Sequence, residues 1–515
     1  MSKPKSKLIS TVLVALMTTL SRISGLVREM VKAYYMGTGA TADAFNLAFT
    51  IPNLFRRFTA EGTMLSTFIP YLSDANLKVE ANRRVYVASF MFKLCLILTL
   101  ICAVFIVFAP FWVSYVFAPG FEDNTANEAQ FLLRVMFIYI LLISLTALLQ
   151  GVLNYHGKFT MAAFTPVLLN LSMISSTIIL VSFNLTDASL AMSIGVLIGG
   201  FLQFFSLYPA VRKLGYKMIS NFKLSDSISN KAMVSMLPGL WGAGVYQLNI
   251  IFGNFIASGL EKGSISALIY SNRLVELALG IFVVSIVTVY FPTLSAKISE
   301  SKINEASDII VKCLSNVCFL TIPIGFGLVA LGSEIISVLF ERGSFDEHSV
   351  SLTYFALLYH APGIIFISIN RVFISVINAA KKFKLLFYIS SVVTVINVAL
   401  SFYLSTFLSL GGIAFASTLS QLTQTLIMFI ILRKLRLITF PLMPYFSLLF
   451  RQLLCGGLIL LTIIYLKPLM GIVWNTTLTC FLYIAIGGIV YIVSAYCLRV
   501  NNLRDLLILL RRKKI

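Results

Sequence analysis

Acidic side chains are scarce in this sequence: 20 aspartates and glutamates among 515 residues, against 40 lysines and arginines. With only 12% charged and 58% hydrophobic residues, the chain cannot cover a water-facing surface in the ordinary way, which excludes a soluble globular domain. Histidine is rarer still. His156, His348 and His360 stand apart in sequence, without metal-ligand spacing or a neighbouring nucleophile. The first two read as loop residues and His360 as a helix residue with a local hydrogen bond. The seven cysteines lie in or beside apolar runs and form no C-x-x-C pair. That excludes a disulfide framework or thiolate metal site and leaves them as packing residues. No Walker loop, dinucleotide fingerprint or G-x-S-x-G element occurs, so enzymatic chemistry has no candidate residues and no cofactor is expected. The formal charge of +20 does not indicate nucleic acid, because the basic residues are spread through short connections and form no stripe.

What the chain has is long apolar runs. About fourteen stretches reach the roughly 20 residues needed to cross a bilayer, near residues 8–35, 42–72, 88–117, 132–155, 161–183, 187–211, 233–259, 265–295, 308–340, 351–377, 384–408, 411–433, 443–468 and 473–498. The expected fold class is therefore an all-α polytopic membrane protein. Lys3, Lys5 and Lys7 ahead of Leu8 to Leu20 imitate a secretory signal, but no A-x-A-like site follows and Ser21-Arg22 continues the helix. This reads as a retained first span. Charge alternates between the connections. One set holds Lys78, Arg83, Arg84, Lys158, Arg212, Lys213, Lys217, Lys223, Lys231, Lys297, Lys302, Lys381, Lys382, Lys384, Arg433, Lys434 and Arg436. The other has little beyond Lys262, Arg342 and Lys467, and includes the acidic Glu122, Asp123 and Glu128. The positive-inside rule places the first set, both termini and the closing Arg511-Arg512-Lys513-Lys514 in the cytoplasm.

Three short stretches recur at almost constant separation. Val116-Phe117-Ala118-Pro119-Gly120 answers Leu339-Phe340-Glu341-Arg342-Gly343, and Val152-Leu153-Asn154 with Lys158-Phe159 answers Val376-Ile377-Asn378 with Lys382-Phe383. Phe68-Ile69-Pro70-Tyr71-Leu72-Ser73 answers Tyr290-Phe291-Pro292-Thr293-Leu294-Ser295. An even number of spans lies between the copies, so they share one orientation, and parallel repeats of this kind are a transporter signature. The expected organisation is two pseudo-symmetric six-helix lobes, residues 1–215 and 216–436, followed by two added helices and a basic tail over 437–515.

Charges within the first two spans carry the functional reading. The first holds Arg22, Arg28 and Glu29, the second Asp43, Arg56, Arg57 and Glu61. Each uncompensated charge at bilayer depth costs at least about 2.5 kcal/mol, so the group must line an aqueous interior, and one dominated by arginine suits an anion. Helical periodicity puts Asn53, Arg57 and Glu61 on one stripe, with Asp43 near the same face and Pro52 able to kink the helix. Arg57 and Glu61 are spaced to pair. Arg22 and Glu29 share a face, with Gly25 between them permitting close backbone approach, and Arg28 points away from Arg22. Arg273 and Glu276 form an i,i+3 pair in the eighth span. Arg56, Arg371, Lys32 and Lys93 read as helix–helix salt bridges or as residues reaching for the headgroups. Arg22, Arg28 and Arg273 read as substrate ligands, since guanidinium forks fit phosphate oxygens and a diphosphate head group is a natural guest.

These residues resemble the MurJ/MviN family, the lipid II flippases of bacterial peptidoglycan synthesis, within the superfamily of multidrug and oligosaccharidyl-lipid exporters. The likeness is carried by Ser21-Arg22-Ile23-Ser24-Gly25-Leu26-Val27-Arg28-Glu29, by Asp43-Ala44-Phe45, and by Pro52-Asn53-Leu54-Phe55-Arg56-Arg57 with Ala60-Glu61-Gly62. It continues through Ala118-Pro119-Gly120-Phe121 and Leu339-Phe340-Glu341-Arg342-Gly343. The resemblance implies a V-shaped cationic central cavity and a lipid-tail groove made by the last two helices. It implies that Arg22, Arg28 and Arg273, with Asn53 and Arg57, hold the diphosphate-sugar head group. Ser21, Gly25, Asp43, Arg56, Glu61, Asn272 and Glu276 would then line the cavity or its gate. Two positions depart from the family pattern: Ala42 where relatives usually have threonine, and Asn272 where an aspartate is common. Relatives bind sodium through carboxylates in helices 7 and 11. Gln247, Asn249 and Ala379-Ala380-Lys381-Lys382 offer none, so sodium coupling is not expected and the membrane potential is the candidate drive. The expected protein is a monomer of the bacterial cytoplasmic membrane that flips lipid II by alternating access, with membrane lipids and cell-wall synthesis enzymes as partners. Rival readings are a flippase for another polyprenyl-linked oligosaccharide, a multidrug antiporter of the same superfamily, and a membrane scaffold.

Overall fold

A backbone surrounded by hydrocarbon must satisfy its own N–H and C=O groups, and a chain this apolar meets that demand with helices. The computed structural model describes residues 4–59, 63–73, 79–217, 226–439, 441–470, 476–500 and 502, and no strand occurs among them. The chain divides into two compact units, Met1–Ser266 and Ala267–Ile515.

The first unit contains α1 (Pro4–Met36), α2 (Ala40–Thr59), α3 (Thr63–Leu72), α4 (Glu80–Val107) and the short α5 (Ala109–Phe111), which runs into a π-helical stretch, Trp112–Phe117. It continues with α6 (Asp123–Met136), α7 (Tyr139–Tyr155), α8 (Phe159–Ser182), α9 (Ala188–Lys213) and α10 (Ser227–Ala257). α11 (Ser264–Ala278) begins at the end of this unit and continues in the second. There it is followed by a π-helical stretch, Leu279–Val283, and by α12 (Val284–Ser299), α13 (Ile303–Phe340), α14 (Glu347–His360), α15 (Gly363–Ala379), α16 (Phe383–Lys434), α17 (Leu442–Met470) and α18 (Thr476–Cys497). Each of the fourteen expected spans has its helix or helix pair. The second is α2 with α3, and the fourth and tenth are the broken pairs α6–α7 and α14–α15, the latter bent by 46°. The eleventh and twelfth are the two arms of α16, which breaks at Ser409 (φ 49°, ψ −133°).

Several helices end in the same hydrogen-bonded turn, among them two at corresponding positions of the repeat read from sequence. α7 passes to α8, and α15 to α16, through turns with the same hydrogen bonds: Gly157 N–H to Asn154 O matches Lys381 N–H to Asn378 O, both at 3.0 Å. The next residues repeat the match, Lys158 to Leu153 O at 2.9 Å and Lys382 to Ile377 O at 3.1 Å. Within the first unit, α8 and α9 approach closely because a Cβ on Gly195 would lie 2.7 Å from the Met173 Cα and one on Gly199 would strike the Ser172 hydroxyl. Small residues one turn apart substitute for the missing hydrophobic drive between helices in lipid. Phe105 anchors the unit's core, stacked between Trp112 at 4.4 Å and Phe137 at 4.5 Å. In the second unit α17 and α18 pack on α13 through Phe319, Cys455, Ile459 and Tyr491. The Tyr491 hydroxyl donates to Phe319 O at 2.7 Å, and Lys467 pairs with Glu334 at 2.6 Å.

Two histidine expectations are corrected. His348 lies in the first turn of α14 and not in a loop, because the Asp346 carboxylate accepts the Ser349 N–H at 2.9 Å and starts the helix there. His360 has no local partner. Its Nδ1 lies 2.9 Å from the Ser271 hydroxyl of α11. All seven cysteines are free thiols.

Candidate functional site

The first unit holds a line of polar groups inside apolar helices. In α1, Glu29 and Lys32 are spaced i,i+3 and pair at 2.6 Å, while Arg28 reaches the other Glu29 oxygen at 2.5 Å. The second arm of the Arg28 fork donates to Asn170 Oδ1 of α8 at 3.0 Å, and its guanidinium lies 5.8 Å from the Phe49 ring centre. Asn170 in turn donates to Ser24 Oγ and to the Ser21 carbonyl. The turn between α1 and α2 brings Lys32 within 2.9 Å of Asn46 Oδ1. Asn46 then donates to the Ser266 hydroxyl at 2.8 Å, which donates to Asp43 at 2.6 Å. One chain of contacts thus runs from Asn170 through Arg28, Glu29, Lys32, Asn46 and Ser266 to Asp43.

Asp43 ends this chain by capping a helix other than its own. One carboxylate oxygen accepts the Ser266 N–H at 2.8 Å and the other the Gly263 N–H at 2.7 Å, so the charge sits at the start of α11 where unsatisfied N–H groups gather. Gly263 is required there. Its φ is +93°, and a Cβ would collide with the Thr38 carbonyl. Arg28, Glu29, Lys32, Asp43 and Asn46 are all at least nine-tenths buried. Buried charge is tolerated when it is paired and hydrogen-bonded, and here every charged member has a partner of opposite sign or a dipole aimed at it.

Other predicted residues fall outside this line. Arg22 is exposed and makes no hydrogen bond or ion pair among the described residues. It does not join Glu29, although the two share a helical face, because Arg28 and Lys32 occupy that carboxylate. The close backbone approach expected at Gly25 is not found. A Cβ there would meet only the Asn170 amide at 3.6 Å, an ordinary contact. Arg56 donates to Asn53 one turn earlier at 3.0 Å. Glu61 lies outside the described residues, as does the side chain of Arg57. In the second unit Arg273 and Glu276 pair at 2.9 Å with both side chains about half exposed, and Asn272 lies 3.4 Å from the same carboxylate. Of the residues read as structural ties, Lys93 joins the start of α10 through Ser229 at 2.5 Å and Asn230 at 2.6 Å, while Arg371 is exposed. Asn46, Asn170 and Ser266 were not singled out from sequence. An amide in mid-span was the available signal for the two asparagines. Among the described residues, no group of three or more His, Cys, Asp or Glu side chains converges as a metal site.

Comparison with known proteins gives a consistent answer. A family model described as "Lipid II flippase MurJ" matches residues 32–485. A "Probable lipid II flippase MurJ" of Vibrio cholerae is 33% identical over 425 residues, covering 81% of each chain. Among solved structures, "Lipid II flippase MurJ, inward closed conformation" superposes with a TM-score of 0.82 at 26% identity, over 96% of this chain and 100% of that one. An inward-facing multidrug MATE transporter of the MOP superfamily reaches 0.69 at 12% identity over 82% of this chain and 98% of its own, a likeness of fold alone. With its multi-pass helical fold and a family match spanning most of its length, this chain belongs to the lipid II flippase MurJ family.

Proposed function

We propose that this chain moves lipid II, the undecaprenyl-diphosphate-linked peptidoglycan precursor, from the inner to the outer leaflet of the bacterial cytoplasmic membrane. It acts as a monomer by alternating access, with both termini in the cytoplasm, without a cofactor and without sodium coupling. The observation that carries the reading is the buried polar line from Asn170 to Asp43 in a member of this family. Of the three arginines read as substrate ligands, Arg22 and Arg273 have exposed surface, and each is a ligand for the diphosphate. Forked N–H donors match its oxygens better than ammonium groups would. Arg28 acts from its buried seat, where Asn170 and Glu29 fix the direction of its charge. Asn53 and Arg56 flank the head group, and Glu276 exchanges Arg273 with the substrate; Glu61 and the side chain of Arg57, outside the described residues, are read from sequence as part of the same set. Asp43 is the gate: withdrawing it from Gly263 and Ser266 uncaps α11, so one event at the α1–α2 turn alters a helix far along the chain. The polyprenyl tail stays in lipid beside α17 and α18 while the head group crosses.

The test is depletion of the protein from its own cells. Lipid-linked wall precursor should then accumulate in the inner leaflet, and the wild-type chain should restore export. Arg28→Ala and Arg273→Ala should fail to restore it although folded protein is present in the membrane. An unchanged precursor distribution on depletion would overturn the proposal.

A further inference from the structure

The repeat pairs two hairpins, α8–α9 in the first unit and the two arms of α16 in the second, and their ends differ in a directed way. At the entrance to α8 the left-handed position is Gly157 (φ 75°), and at the entrance to α16 it is Lys381 (φ 57°). At the exits, Arg212-Lys213-Leu214 leads to Gly215 (φ 85°), and Arg433-Lys434-Leu435 leads to Arg436 (φ 55°). The backbone bonds are the same in both, with Gly215 N–H to Arg212 O and Arg436 N–H to Arg433 O at 2.9 Å. Left-handed backbone favours glycine, and any residue with a Cβ is strained there. The second unit thus has a cation at both left-handed ends of its hairpin where the first has glycine, and Arg499 (φ 53°) after α18 is a further left-handed cation.

The space between the two ends differs as well. In the first unit it is filled: His156 Nε2 lies 3.1 Å from the Tyr216 hydroxyl, and the Arg84 guanidinium lies against Gly215. In the second unit Ala380 and Leu437 stand at the positions of His156 and Tyr216, and a cleft of about 550 Å³ is open. Its wall is mainly apolar, with Phe383, Ile431 and Leu435, and Lys381, Lys382 and Lys384 lie along it, all three exposed. Orientation alone accounts for basic residues in these connections. It does not account for cations at strained positions, or for an apolar cleft beneath them.

We propose that this cleft binds an anionic diacyl phospholipid. The phosphate lies among Lys381, Lys382 and Lys384, Arg436 follows the lining residue Leu435 in the chain and adds its charge from the rim, and an acyl chain is seated on Phe383, Ile431 and Leu435. A soluble anion would use the charges and waste the apolar wall, whereas a lipid at the membrane surface uses both. Basic pockets between spans on the cytoplasmic side are suited to such head groups.

The test uses the full chain in vesicles of phosphatidylcholine with a minor fraction of phosphatidylglycerol, reading the lipid retained on the purified protein by native mass spectrometry. Wild type should retain phosphatidylglycerol selectively. The double variant Lys381→Gly/Arg436→Gly copies the turns of the first unit and relieves their strain, so it folds. Its affinity for phosphatidylglycerol should fall about thirtyfold, as two surface cations each contribute about a factor of five. A second variant, Lys382→Gln/Lys384→Gln, should lose affinity comparably. Equal retention by wild type and both variants would overturn the proposal. Displacement of the lipid by millimolar inorganic phosphate would overturn it too, since the site would then recognise a free anion.

Discussion

At the scale of single residues, Glu29 is the member of the buried line that nothing replaces. Among the described residues it pairs with both Arg28 and Lys32, whose side chains sit on it within 2.6 Å. Glu29→Gln would keep the shape and leave two neighbouring cations in a low-dielectric interior. Breaking a buried pair by removing one partner costs about 3–5 kcal/mol, more than the pair itself contributes. Glu29→Gln should therefore lower the melting temperature of the detergent-solubilised protein sharply. Adding Lys32→Met should recover much of that loss, because only Arg28 is then left to neutralise. If the double variant is no more stable than Glu29→Gln alone, the two side chains are not coupled and the line is not an electrostatic unit. Sequence had marked Arg28, Glu29 and Asp43 because charge in an apolar run is costly and therefore visible. It had not marked Asn46, Asn170 and Ser266, whose neutral groups cost less to bury than a charge and stand out less in an apolar run. Nor could it show that Asp43 serves the backbone of α11, since N–H groups are present in every residue and only the fold selects which are orphaned.

At the scale of elements, the spans were legible and the interruptions inside single spans were not. Apolar composition runs without change through Phe137 and Ile138, where α6 gives way to α7, so nothing local announces the interruption. Pro362 marks the equivalent break between α14 and α15, because it brings no N–H to the helix ladder. The break inside α16 was the exception: the polar Ser405, Thr406 and Ser409 with Gly411 and Gly412 mark it, and the expected spans 384–408 and 411–433 divide there. Ser409 adopts φ 49° and ψ −133°, a region that only glycine enters at low cost. Its twin turn between α8 and α9 is built differently, with Asn184 left-handed. Ser409→Gly should remove strain of about 1–2 kcal/mol and raise the melting temperature. The next glycines constrain the same turn from the other side, since a Cβ on Gly412 would strike the Leu404 carbonyl. If Ser409→Gly lowers stability, the Ser409 side chain has a role in the bend that outweighs its backbone strain.

At the scale of the whole molecule, the excess of basic over acidic residues bears most directly on the cargo. A chain with 40 basic and 20 acidic residues, and guanidinium groups placed within its spans, is biased toward an anionic cargo. If the cargo is the anionic diphosphate proposed above, its passage is electrogenic. A diphosphate leaving a cell that is negative inside moves down the electrical gradient, gaining about 2.3 kcal/mol per charge per 100 mV. Per charge, this is about a fiftyfold shift in the leaflet distribution at equilibrium. In proteoliposomes holding lipid II, a potassium gradient with valinomycin sets the potential, and the fraction of head groups reachable from outside reports the outcome. An interior-negative potential should raise that fraction and an interior-positive one should lower it, while replacing sodium with choline should change neither. Arg273 pairs with Glu276 and does not carry the cargo's charge across, so its loss should reduce the rate at every potential without altering the slope. A distribution indifferent to potential would show that the cargo's charge is cancelled in transit, and the arginines would then be counterions that travel with it through the conformational change.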